Sequence, residues 1–144
     1  MVEETIIKTV DLNCCYGSLE VLKNLNLEIY KNEILGIIGP ANSGKTTFLR
    51  ALNRLNNLNP AYRQQGDIFF EGHNANDMTD NLLRKKIGII FAMPQVLPVS
   101  IYNNIAYGPK VHGITDRSLV REIVENALKK AYLWDEVKDR LNMP

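Results

Sequence analysis

Cysteine is nearly absent: Cys14 and Cys15 are the only thiols in 144 residues, and they are adjacent. Neighbouring cysteines rarely meet the geometry of an ordinary disulfide, and no second pair is there to staple a small fold. A reduced cytoplasmic interior is the matching compartment. A metal or redox centre needs more ligands, so the pair reads as two small apolar fillers near a strand end. An excess of charge is missing too. Seventeen Lys and Arg face sixteen Asp and Glu, a net charge of +1, so no strong field recruits nucleic acid or an acidic surface. No basic stripe with interleaved aromatics is present, which argues against direct DNA or RNA binding. The opening "MVEETIIKTV" has no basic n-region followed by an apolar h-region, so no signal peptide is read. No run approaches membrane-spanning length. Any link to a membrane therefore goes through a partner.

What is present is a folded composition, 45% hydrophobic, with alternating short strands and helices. Residues 5–12 are rich in β-branched side chains and read as a strand. Leu25, Leu27 and Ile29 alternate with Asn26 and Glu28, which predicts a half-buried strand closed by a turn at 31–33. Residues 34–38 are continuously apolar, as in a strand covered on both faces of a parallel sheet. Phe48, Leu52 and Leu55 recur at helical spacing, and that helix is expected to break at Asn59-Pro60. Residues 67–70 and 87–91 read as further strands. Ser100 is placed as the cap of a short helix. Val120, Ile123, Val124, Ala127, Leu128 and Ala131 mark one face of a longer helix starting near Thr115 or Asp116. No internal repeat, low-complexity linker or clear domain boundary is visible. The pattern is α/β.

Directly after the 34–38 run comes "GPANSGKTTF", which fits G-x-x-x-x-G-K-[ST]. Gly39 and Gly44 permit backbone angles and close approaches that a Cβ would block. The N–H groups of Asn42, Ser43, Gly44 and Lys45 can point into one concavity and hold phosphate oxygens. The helix beginning near Lys45 adds its positive end. Lys45 can reach the β- and γ-phosphates, and the Thr46 hydroxyl can ligate Mg²⁺. The loop alone does not separate small kinases, GTPases and transport ATPases. No N-K-x-D base-reading motif is present, and Arg84-Lys85-Lys86 is a poor arginine lid, better read as a solvated helix end.

Longer segments resolve the choice by resemblance. "YGSLEVLKNLNLEIYKNEILGIIGPANSGKTTFLRALNRLNNL" resembles the opening strands, phosphate loop and first helix of ATP-binding cassette (ABC) ATPases. "SIYNNIAYGPKVHGI" and "KKAYLWDEVKDRL" resemble stretches of the phosphate-import branch of that family. The resemblance spans nearly the whole chain. It implies a P-loop NTPase core, incomplete, with an N-terminal antiparallel β portion. About residues 1–91 would form that portion and the P-loop core, and about 92–144 the Q-loop region and the start of the helical subdomain. It implies ATP and Mg²⁺ as ligands, with Tyr16 stacking on adenine, Gly39, Pro40, Ala41, Asn42, Ser43, Gly44, Lys45, Thr46 and Thr47 around the phosphates, and Thr46 on the metal. The implied partners are membrane permease subunits, a second ATPase subunit in a head-to-tail dimer and, indirectly, a phosphate-binding receptor. The implied place is the cytoplasmic face of the cell membrane.

Departures from the family pattern are equally specific. "FAMPQVLP" puts Ala92 in the column of the Q-loop glutamine, and alanine has no oxygen for Mg²⁺ or water. Gln95 lies beyond Pro94 in a different column, a three-residue offset that spans many ångströms of extended chain. The sequence contains no L-S-G-G-Q signature, no Walker-B strand ending in Asp-Glu and no switch histidine. Asp135-Glu136 in "AYLWDE" continues a helical face, and His73 and His112 read as ordinary loop residues. The expectation is a partial cassette that holds a nucleotide and does not turn it over. Its rival is a non-hydrolysing nucleotide-binding or regulatory P-loop module. The resemblance also implies that a strand flanking residues 34–38 lies outside this sequence, which would leave Ile34, Leu35, Ile37 and Ile38 partly bare.

Overall fold

In the computed structural model, which describes residues 4–144, two long strands pair first. Strand β1 (Thr5–Tyr16) and strand β2 (Leu19–Tyr30) are joined by the two-residue turn Gly17-Ser18, with Tyr16 opposite Leu19. Strand β3 (Tyr62–Phe70) lies on the other side of β1, again antiparallel, with Tyr16 opposite Tyr62. The two-residue β4 (His73–Asn74) completes a sheet of order β2-β1-β3-β4. This is the antiparallel β portion, and both strands that open it run further than their apolar alternation alone marks. Their irregularities have local causes. Asp11 takes φ 48, and a Cβ on Gly66 (φ +84) would lie 2.2 Å from the Asp11 carbonyl oxygen. Only glycine lets β3 pass that bulge. Thr9 sits beside it, donating from Oγ1 to the Leu25 carbonyl and accepting from the Leu27 amide, each at 3.0 Å.

The inner face of this sheet is covered by helix α1 (Lys45–Leu52) and helix α2 (Asp80–Lys86). Leu12, Cys14, Phe48, Leu52, Ile68 and Leu83 are the body of that core. The α-helix stops at Leu52, before Leu55. Arg54, in the left-handed region at φ 58, starts a 3₁₀ turn (Leu55–Leu58) that folds the chain back. The break thus falls ahead of the expected Asn59-Pro60. Arg54 is held there by Asp80 at 2.8 Å and by the carbonyl oxygens of Met78 and Ala75. Arg84, expected to be merely solvated, bonds Asp80 and the carbonyls of Asn53 and Arg54.

Two expected strands do not form. Residues 33–40 and 88–91 carry no ladder, and every ladder among the described residues is antiparallel. Apolar character alone cannot make a strand, because each N–H and C=O needs a paired neighbour. With none beside them, Ile34 and Ile38 are 98% exposed and Leu35 and Ile37 about two-fifths exposed (37% and 38%). The expected bareness of those four residues is what the structure has. Ile90, at 99%, is in the same condition.

The chain divides into two compact units, the first ending at Ile90 and the second covering Phe91–Pro144. The second is helical: α3 (Ile101–Val111), α4 (Arg117–Lys130) and the short α5 (Trp134–Val137). Ser100 caps α3 by accepting from the Asn103 amide, and Asp116 caps α4 by accepting from the Ser118 and Leu119 amides. Ala106, Val120, Val124, Leu128 and Val137 form its core. The predicted α4 face is narrower than its apolar spacing indicated. Ala127 and Ala131 are exposed, and the helix ends at Lys130 before Tyr132 turns left-handed at φ 58.

Candidate functional site

The phosphate-loop sequence sits between the unladdered 33–40 segment and α1. Asn42 (φ 63) and Gly44 (φ 89) both take left-handed backbone, one on each side of Ser43. Such alternation turns successive N–H groups inward and builds an anion-holding concavity. A side chain at Gly44 is blocked twice over: by its φ, and by Leu22 Cδ2 at 2.8 Å and the Val21 carbonyl at 3.2 Å from the place a Cβ would take. Strand β2 therefore presses the loop into shape from beneath. At Gly39 a Cβ would fall 2.9 Å from Ser43 Oγ, so the two ends of the loop lie close together and a side chain there would make Ser43 turn its hydroxyl aside.

Gly44 is also the N-cap of α1, yet it supplies no side-chain cap, and the first turn carries no acidic residue. The positive end of the helix is thus left uncompensated by the protein's own groups. Lys45 Nζ lies in the mouth of the loop, donating to the Gly39 carbonyl at 2.8 Å, the Pro40 carbonyl at 2.5 Å and Ser43 Oγ at 3.1 Å. The same ammonium that would meet phosphate here ties the loop together. Ala41 and Thr46 are exposed, and Thr47 is half-buried. A shape that excludes a Cβ, an uncapped helix end and a converging ammonium fit a polyphosphate, and the adjacent Thr46 hydroxyl fits a hard cation beside it.

Tyr16 lies at the end of β1, half-buried, with its hydroxyl donating to Asn56 Oδ1 at 2.8 Å. Its ring leans on Tyr62, with centroids 5.3 Å apart and planes tilted by 52°. The buried Tyr62 has its phenol pushed up by burial and by its bond with Cys14, whose thiol is itself pushed up by burial. Asn56, a residue the sequence reading passed over, is 3% exposed. Its Nδ2 donates to the Thr47 carbonyl at 2.8 Å. The signal for it was the Asn-rich "NRLNNLNP", which is more than a helix breaker.

The structure thus brings Tyr16 and residues 39–47 into the first unit. Ala92 and Gln95 are exposed residues of the second. Asp135 and Glu136 stand in α5, paired with Lys138 at 2.9 Å and Arg140 at 3.1 Å. His73 lies in β4 rather than a loop, and His112 follows α3. Among the described residues no His, Cys, Asp and Glu cluster could hold a metal ion, and no helix is long and apolar enough to cross a membrane.

Comparisons with known proteins agree on one family. The family model described as ABC transporter matches residues 22–143. The phosphate import ATP-binding proteins PstB of Borreliella afzelii and Borrelia garinii subsp. bavariensis are 48% and 47% identical over 141 residues. Each match covers 96% of this chain and 54% of the relative. The chain therefore spans about half the length of these curated relatives. Among solved structures, a bacterial Atm1-family ABC exporter with ATP bound is similar with a TM-score of 0.78 at 25% identity, over 99% of this chain and 24% of that one. The protein cbiO1 from Clostridium perfringens, part of the ABC transporter complex cbiONQ, gives a TM-score of 0.76 at 28% identity, over 97% and 53%.

Proposed function

This chain belongs to the ABC transporter family, and on that premise we propose that it supplies the ATP-binding part of a phosphate importer. The observation that carries the reading is Lys45. Its ammonium converges on the Gly39 and Pro40 carbonyls and Ser43 Oγ at the mouth of an uncapped helix. These acceptors are ones a phosphate oxygen can replace, since a charge-assisted bond to phosphate outweighs neutral carbonyl bonds. Residues 42–45 offer backbone N–H groups to the β-phosphate, Lys45 spans the β- and γ-phosphates, and the Tyr16 ring stacks on adenine. The Thr46 hydroxyl would hold Mg²⁺, which would supply charge neutralisation to the bound phosphates.

The phosphate-import assignment draws on the two PstB relatives, and coupling to uptake would run through membrane permease subunits and a second ATPase subunit. In that setting the chain sits at the cytoplasmic face of the membrane without crossing it. Ala92 marks where this chain departs from a working hydrolase. With a methyl group in the glutamine column, it neither touches the metal nor orients water. The proposal is of a chain that holds nucleotide without hydrolysing it alone. Calorimetry with Mg-ATP tests the reading. Lys45→Ala removes a charge-assisted contact of about 1.5–3 kcal/mol, so affinity falls at least about tenfold. Equal affinities for the two proteins would remove the loop from the account.

A further inference from the structure

One buried amide joins the two ends of the candidate nucleotide site. Asn56 follows α1 on the 3₁₀ turn and is 3% exposed. Its Oδ1 accepts from the Tyr16 hydroxyl at 2.8 Å, and its Nδ2 donates to the carbonyl of Thr47 at 2.8 Å. Thr47 is in the first turn of α1, two residues after Lys45. Both hydrogen-bonding ends of the side chain are therefore used, in opposite directions, between the end of β1 and the turn that faces phosphate. Asparagine suits this place chemically. A carbonyl oxygen and an amide NH₂ on one planar group accept from a phenol and donate to a backbone carbonyl at once, without charge. Aspartate would bring a buried charge and no donor, and leucine would leave both partners unpaired.

We propose that Asn56 is a positioning residue for the nucleotide base, an inference that rests on the nucleotide reading given above. It fixes the Tyr16 ring at a set distance from the phosphate-binding turn, so that base and phosphates are gripped together. A half-exposed tyrosine at a strand end has two free torsions. Here the hydroxyl is tied at its tip to Asn56 while one side of the ring rests on Tyr62. The ring is thus oriented before any ligand arrives. Immobilising one rotamer-rich side chain in advance changes affinity by about three- to tenfold. That gain falls on the base alone, because the phosphates never touch Tyr16.

The test compares Mg-ATP with Mg-tripolyphosphate on the whole chain, by calorimetry, as the ratio of the two affinities. Asn56→Leu and Tyr16→Phe remove the same hydrogen bond from opposite sides, and Tyr16→Phe does so without altering the buried amide. Both variants lower the ATP-to-tripolyphosphate ratio about three- to tenfold, and the double variant lowers it no further, as shared partners require. A ratio that stays at the wild-type value in Tyr16→Phe overturns the proposal, as does full additivity in the double variant. An Asn56→Leu effect equal on both ligands, with an unchanged ratio, makes the residue structural only. Lys45→Ala separates the two layers. If it leaves tripolyphosphate binding intact, the phosphate-loop reading itself fails, whereas a changed Lys45 response with an unchanged Tyr16 ratio sinks the Asn56 inference alone.

Discussion

Charge placed on the bare 34–38 segment should improve the behaviour of this chain without weakening its fold. Ile34 and Ile38 are 98% exposed, and Leu35 and Ile37 are 37% and 38% exposed. Full burial of one such side chain contributes about 1.5–3 kcal/mol. The first two forgo almost all of that and the second two about a third, so the segment forgoes about 4–8 kcal/mol in total. A domain is stable by only about 5–15 kcal/mol, so the deficit is comparable with the whole. Beneath the segment lies an apolar cleft of about 520 Å³ lined by Leu22, Leu25, Leu27 and Phe48 among others. Unpaired backbone beside apolar side chains is a template for other chains. Wild-type protein should therefore elute as oligomers or aggregates on size-exclusion chromatography and melt broadly. Ile34→Lys with Ile38→Lys removes only side chains that bury nothing. It should shift the elution toward monomer and leave the melting midpoint unchanged within a few degrees. A monomeric wild type with a sharp transition above about 60 °C, the upper range for ordinary domains, refutes the argument. A double lysine variant that unfolds would show that the two isoleucines are packed after all.

Three further outcomes follow from single sites. The 144-residue chain should show no ATPase activity above background, and Ala92→Gln should not restore it, since neither signature nor Walker-B carboxylates occur in this sequence; steady phosphate release that is lost in Lys45→Ala contradicts this. Gly44→Ala should lower the melting midpoint and abolish Mg-ATP binding together, because the loop cannot keep φ 89 with a Cβ 2.8 Å from Leu22; unchanged binding in that variant would show that the loop does not need this backbone. Asp116 is held below the usual carboxylate range by the Leu119 amide, then by the Ser118 hydroxyl and amide. A depressed carboxyl contributes stability above its unfolded value of about 4, lost as pH falls through the lower folded value. Fluorescence of Trp134, the only tryptophan, reports on the second unit, and Asp116→Asn should flatten its acid transition below about pH 4. An identical transition in the variant would mean another carboxylate governs it.

How much of this was legible in the sequence depends on the range of the interactions involved. Helix caps are local, and Ser100 and Asp116 bond amides two or three residues away, so residue type and spacing suffice. The β1–β2 hairpin is nearly as local, with a two-residue turn between its strands. Residues 34–38 and 87–91 are the opposite case. Their apolar runs predict strands, but a ladder is a property of two segments, and among the described residues no segment pairs with either. The early end of α1 has a similar cause. Leu55 keeps the helical spacing, yet Arg54 is drawn into a left-handed turn by Asp80 and two carbonyls more than twenty residues away.

The same distinction runs through the site. Gly39, Gly44, Lys45 and Thr46 stand out as candidates because the loop's chemistry is written in consecutive residues, and the structure adds what presses on it from β2. Asn56 does not, because its meaning lies in two bonds, one to a residue forty positions earlier and one to the carbonyl of Thr47. A buried asparagine with a partner on each side is a long-range fact that no periodicity encodes. If the base is gripped through that amide, the geometry of the nucleotide site is set as much by the sheet's antiparallel register, which places Tyr16 opposite Tyr62, as by the glycine loop. Phosphate affinity is then a local property of residues 39–47, and discrimination between ATP and bare polyphosphate is a property of the fold.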